Sequence, residues 1–182
     1  MKVLPMNNGS DSAGERLSIE AILLKEIDSL YSTALRMTGS TDLAEDFVQE
    51  TARKAMQGAS ALLDQRNRRA WVFKILINLI RDHLRKQSLW QEVDLGASES
   101  DYSIAPDRAS MHDVPAALAR LKPPLRAIIL LIHFEEFTIS ETAAILKIPP
   151  GTVASRLARA NRELREMLDA YRTRSSTKGG AG

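Results

Sequence analysis

Apolar side chains recur at three- and four-residue intervals through most of this chain, and no segment alternates as a half-buried strand does. Over residues 17–38, Ile19, Ile22, Leu23, Ile27, Leu30, Ala34 and Met37 keep helical spacing. Gly39-Ser40-Thr41 ends that helix and caps the next, where Asp42, Glu45 and Asp46 meet the favourable end of the helix dipole. The second helix runs to Gln57 with Leu43, Phe47, Thr51 and Ala55 on its inner side. A third helix is predicted over residues 68–87, with Trp71, Val72, Ile75, Leu76, Leu79, Ile80 and Leu84 in a wide apolar arc. Residues 88–112 lose all period, and their Ser, Asp, Gly and Pro content marks a linker. Helices resume over residues 113–121, break at Lys122-Pro-Pro and continue over 125–136. The run Ile128-Ile-Leu-Leu-Ile could stand alone as a buried strand, but it lies between helical segments and has no partner strand. The expected fold is all-α: two small helical domains joined by a flexible linker, with residues 1–16 and 173–182 disordered.

The C-terminal domain carries the most specific local pattern. Thr138 and Glu141 form a T-x-x-E capping box that starts one short helix. Pro150 suits the first position of the next, where a missing N–H costs nothing. Ala143 is small where two helices approach, and Ile145, Leu146, Ile148, Val153 and Leu157 supply a mini-core. Lys147 sits in the turn where Gly is usual, at a cost of about 1 kcal/mol. Thr152, Ser155, Arg156 and Arg159 recur on one exposed face of the second helix. This is a helix-turn-helix, whose second helix enters a DNA major groove.

Composition narrows the field. The 182 residues are 44% hydrophobic and 26% charged, which fits a soluble globular protein with an aliphatic core. No cysteine is present, excluding disulfides, thiolate metal sites and cysteine nucleophiles. The N-terminus has no apolar stretch long enough for a signal peptide, and Ala127-Ile-Ile-Leu-Leu-Ile is too short to span a bilayer. A cytoplasmic protein without membrane insertion is expected. His83, His112 and His133 are scattered, Glu135-Glu136 point in different directions on a helix, and no Gly-rich phosphate loop occurs. An enzyme is therefore not expected, nor any catalytic residue, metal or cofactor.

Net charge is only +2, but its distribution is uneven. Residues 66–86 hold Arg66, Arg68, Arg69, Lys74, Arg81, Arg85 and Lys86 against Asp82 alone. Residues 147–174 are also basic, and between the two blocks lie Glu92, Asp94, Glu99, Asp101, Asp107 and Asp113. Two basic blocks around an acidic spacer suggest two contact surfaces for a polyanion. On the third helix Lys74, Asn78, Arg81 and Arg85 form one narrow stripe, suited to a nucleic-acid backbone with an amide free for a base edge. On the second helix Asp42, Glu45, Asp46, Gln49, Glu50 and Arg53 crowd one face, which repels DNA and suits a basic protein surface. A helix-turn-helix repressor or activator acting on duplex DNA alone, and a helical adaptor whose basic faces are merely solvated, also fit these patterns.

Three segments carry a family resemblance over residues 17–168. Leu43-Ala-Glu-Asp-Phe-Val-Gln-Glu-Thr resembles the D-A-E-D-x-x-Q-E signature of extracytoplasmic-function (ECF) sigma factors of the sigma-70 family. Ala70-Trp-Val-Phe-Lys-Ile-Leu-Ile-Asn-Leu-Ile-Arg-Asp-His-Leu-Arg is similar to their W-L-x-x-I-x-x-N-x-x-x-D-x-x-R segment. Ile148-Pro-Pro-Gly-Thr-Val-Ala-Ser-Arg-Leu-Ala-Arg-Ala resembles their recognition helix.

The resemblance implies a protein that binds core RNA polymerase and directs it to promoter DNA. Residues 17–87 would be a sigma-2-like domain, 88–112 an acidic linker along the RNA-exit path, and 113–172 a sigma-4-like domain. Asp46, Gln49, Glu50 and Arg53 would dock on the clamp coiled coil of the largest polymerase subunit. Arg68, Arg69, Lys74, Asn78, Arg81 and Arg85 would hold the melted -10 element, whose bases are captured by pockets and backbone charge. Thr152, Ser155, Arg156 and Arg159 would read the -35 element in the major groove. An anti-sigma factor is the further partner that the family implies. Ala154 stands where the family has Lys or Arg, removing one phosphate contact, and Thr142 replaces a common apolar residue.

Overall fold

The computed structural model describes residues 9–58, 67–90 and 114–178, with side-chain surroundings for 19–58, 67–90 and 114–169. Every regular element among them is helical: α1 (Gly9–Thr38), α2 (Thr41–Gln57), α3 (Arg68–Lys86), α4 (Val114–Arg120), α5 (Pro123–Ile129), α6 (Ile139–Leu146) and α7 (Pro150–Lys178). The ends follow local chemistry. Gly39 takes φ +72° after α1, and its N–H reaches the Leu35 carbonyl at 2.8 Å. Ser40 then caps α2 by accepting from the Leu43 N–H, and Asn67 caps α3 by accepting from the Ala70 N–H.

Several boundaries differ from expectation. The helix α1 begins at Gly9, so residues 9–16 are helical where disorder was expected; residues 1–8 lie outside the described residues. Likewise α7 continues to Lys178 through the start of the expected disordered tail, and 179–182 lie outside the described residues. Most of the expected linker, 91–112, also falls outside them. The expected break at Lys122-Pro-Pro is present between α4 and α5, but the second helix starts at Pro123 rather than Leu125, because prolines at the first two positions give up N–H groups that α5 would leave unpaired anyway. After α5 the chain widens into a π-turn, Leu130–Phe134, in which the Glu135 N–H reaches back to the Leu130 carbonyl at 3.0 Å.

Helix α3 is the centre of the packing. Phe73, Leu76, Ile77 and Ile80 are fully buried in a core that runs from Leu30 and Met37 of α1 to Leu125, Ile128 and Leu131 beyond it, and on to Ile145 and Val153. The two helical groups are therefore not held apart: α3 packs on α6, and the end of α1 packs on α4 and α5. Phe73 and Ile77 fall outside the apolar arc read from the sequence, yet they are buried. Phe73 meets Phe137 of the other half edge to face, with centroids 5.1 Å apart. Burial of each of these side chains is worth about 2 kcal/mol.

Arg126 also joins the halves, at the other end of the contact. It is 2% exposed, and its guanidinium donates to the carbonyls of Leu118, Ala119 and Leu121 at the end of α4, and to Met37 at the end of α1. Burial pushes its pKa down to about 10, so it remains a cation at neutral pH. A cation against two helix C-termini is the arrangement that the helix dipoles favour.

Candidate nucleic-acid interface

The helix-turn-helix is built as the sequence chemistry dictates. The Thr138 hydroxyl accepts from the Glu141 N–H at 3.2 Å, and the Glu141 carboxylate accepts from the Thr138 N–H at 2.8 Å. The Thr138 backbone N–H, then its hydroxyl, hold the Glu141 carboxyl below the usual glutamate range. Lys147 occupies the left-handed region (φ +57°, ψ +45°), the conformation for which Gly is usual. Pro150 opens α7.

Along α7, Thr152, Ser155, Arg156 and Arg159 lie on neighbouring positions of one side, at spacings of three and four. The Ser155 hydroxyl donates to the Thr152 carbonyl at 3.1 Å, and Arg159 Nε donates to Glu163 at 2.7 Å. Arg156 is 9% exposed, so the side chain expected to reach a base edge is buried in this arrangement.

On α3, Arg68 lies exposed at the first position and Arg85 exposed near the last, with Lys74, Asn78 and Arg81 half-buried between them. Asn78 is held by Arg81, whose Nη2 donates to Asn78 Oδ1 at 2.7 Å, while Arg81 Nη1 reaches the Leu146 carbonyl of α6 at 3.5 Å. Arg69 points elsewhere. Its Nε donates to Glu26 of α1 at 2.6 Å, its Nη2 to the Glu135 carboxylate at 2.6 Å, and its Nη1 to the Glu135 carbonyl at 2.5 Å. The guanidinium also lies over the rings of Phe73 and Phe137, 4.9 and 4.5 Å from their centroids. Asn67, just before α3, donates to Glu141. The expected -10 residues thus share one helix, but Arg69 and Arg81 face the helix-turn-helix half.

On α2, Asp46, Gln49, Glu50 and Arg53 share one face, and all but Glu50 are exposed. Arg53 grips Glu50 with two bonds of 2.6 Å and reaches Gln57 at 3.0 Å. The hydrogen bond from Arg53 holds the Glu50 carboxyl below its usual range, and the same contact raises Arg53. Ala44 is fully buried on the opposite side, where Leu43 had been expected to lead and is only half-buried.

Glu26, Thr33, Phe137 and Arg126 were not singled out by the sequence patterns, and Glu135 entered only as half of a rejected carboxylate pair. Glu135 is 4% exposed and accepts from the Thr33 hydroxyl at 2.8 Å as well as from Arg69. The one available signal was the row Arg69, Phe73, Ile77, Arg81, a four-residue repeat with apolar residues inside an otherwise basic side.

A fold of this kind, with an acidic face, a basic helix and a helix-turn-helix in that order, defines a DNA-associated transcription protein. Family models place the parts in the same order: Sigma-70 region 2 matches residues 24–89 and Sigma-70 region 4 matches residues 111–164. An ECF RNA polymerase sigma factor, EcfG of Rhodopseudomonas palustris, is 30% identical over 83% of this chain and 85% of its own. SigL of Mycobacterium tuberculosis, also an ECF sigma factor, is 33% identical over 86% of this chain and 92% of its own. The sigma factor RpoE of Bartonella quintana, solved in complex with the anti-sigma factor NepR, superposes with a TM-score of 0.66 at 30% identity. That match covers 84% of this chain and 97% of RpoE. The chain belongs to the ECF sigma factors of the sigma-70 family. Among the described residues no helix is long and apolar enough to cross a membrane.

Proposed function

We propose that this protein is a promoter-specificity subunit: it binds core RNA polymerase through α2, holds the melted -10 element along α3, and reads the -35 element with α7. It works in the cytoplasm, catalyses no covalent step and uses no cofactor. The observation that supports this best is the coexistence in one chain of both sigma-70 regions with an acidic α2 face and a helix-turn-helix. A carboxylate-bearing face has no use against DNA but suits a basic protein helix. Within that face, Asp46, Gln49, Glu50 and Arg53 make the polymerase contact. Arg68, Arg69, Lys74, Asn78, Arg81 and Arg85 serve the single strand, and Thr152, Ser155, Arg156 and Arg159 serve the duplex. An anti-sigma factor is the natural inhibitory partner, since the similar RpoE was solved bound to one.

Run-off transcription tests the whole assignment. Purified protein with core polymerase gives a transcript of defined start from its cognate promoter, and neither component does so alone. Tight duplex binding by the protein alone, with no transcript when polymerase is added, would instead mark a repressor.

A further inference from the structure

The four-residue row on α3 that carries Arg69 and Arg81 is the same row that packs against the helix-turn-helix half. Arg69 lies between Glu26 of its own half and Glu135 of the other, and stacks on Phe137. The π-turn after α5 delivers Glu135 to this point, and Thr33 Oγ1 donates to it from α1. Glu135 and Glu26 are 4% and 6% exposed, so their carboxylates depend on this guanidinium. A buried carboxylate stripped of its cation is strongly destabilised. Arg69 therefore cannot leave for a phosphate while the halves remain closed. The neighbouring groups are withdrawn in the same arrangement: Asn78 is occupied by Arg81, Arg81 by the Leu146 carbonyl, and Arg156 is buried.

From this geometry we propose that the closed form is a self-latched state, in which Glu135 and Thr33 hold Arg69 and the promoter-reading side chains out of reach until the halves separate. The latch is distinct from any external inhibitor, because every group in it belongs to this chain. It rests on the assignment of α3 and α7 to DNA. Polymerase would open it by binding the two halves apart, so that latch strength sets how little the free protein touches promoter DNA.

The chain has no cysteine, so Lys25→Cys and Glu166→Cys on the exposed sides of α1 and α7 give a clean pair for donor and acceptor dyes. Energy transfer is compared in full-length protein with Thr33 and Glu135 intact, with Thr33→Val, with Glu135→Gln, and with both changes. Neither residue belongs to the proposed DNA or polymerase contacts. With both changes, transfer falls, the affinity of the free protein for a fluorescent promoter duplex rises about tenfold, and helix content by circular dichroism is unchanged. Transcription at saturating core polymerase stays at the parental level. Unchanged transfer at unchanged helix content overturns the latch, and so does lost transfer without a gain in DNA affinity. Should Glu135→Gln lower helix content, the near-isosteric Thr33→Val decides alone, with a rise of about threefold expected and no rise counting against the proposal. If the parental protein gives no promoter-dependent transcript with polymerase, the functional assignment fails, whereas the transfer measurement still reports on closure.

Discussion

Arg126 shows how much one side chain can settle. Its guanidinium serves four carbonyls at the ends of α1 and α4. Replacing it by Leu leaves those carbonyls without their donor and removes a cation from two helix C-termini. Arg126→Leu is expected to lower stability by about 3 kcal/mol in urea unfolding, whereas substitutions at exposed Arg120 should fall within about 0.5 kcal/mol. Nothing in the sequence marks Arg126 as buried, because an arginine beside Pro-Pro-Leu reads as a solvated helix start. Arg69 stood out in the sequence as one cation of a basic block, but its partners did not. Glu26 and Glu135 lie 43 and 66 residues away, and only the tertiary fold brings them together. Glu135 was also set aside because its neighbour Glu136 faces another way. The helix expected to carry both ends at Phe134, so neither is helical; Glu136 is exposed, whereas Glu135 is buried against Arg69.

Local chemistry decides most of the elements, and two of their ends can be tuned. Lys147 holds φ +57° at the end of α6. Lys147→Gly removes the strain of a side chain in that region and should raise stability by about 1 kcal/mol, read as a higher midpoint in thermal unfolding. The capping box gives α6 a pH dependence of definite sign. The Glu141 carboxyl lies below its usual range in the folded state, so its contribution is full above the ordinary glutamate value and fades as pH falls through the folded value. Melting temperatures of the parent and Glu141→Gln should therefore differ at neutral pH and converge in acid; a constant gap would show that the carboxylate charge is not what matters. Such signals explain why α2, α3 and α6 were legible almost to the residue. The break before α5 was read correctly, but its start was placed two residues late, because Pro both ends helices and occupies their first turn. The π-turn was not read from the sequence, because Leu130, Leu131 and Ile132 continue the apolar run of α5 and a run without polar breaks hides an extra residue in its turn.

At the scale of the whole molecule, helical class and the helix-turn-helix were readable, whereas the joining of the halves was not. Phe73 and Ile77 are the residues that showed it, as apolar positions on a side otherwise given to cations. The α2 face lies away from this junction, and its Asp46 and Gln49 remain exposed. Asp46→Lys with Glu50→Lys is expected to weaken binding to core polymerase at least about tenfold while leaving the fold intact, as measured by competition with the parent protein. Retained affinity would make that face merely solvated. Arg69 can occupy one place at a time, and reciprocity follows from that exclusion. If the proposed latch holds, a ligand that favours the clasped shape binds less tightly once a promoter is engaged, and by linkage it weakens promoter binding by the same factor.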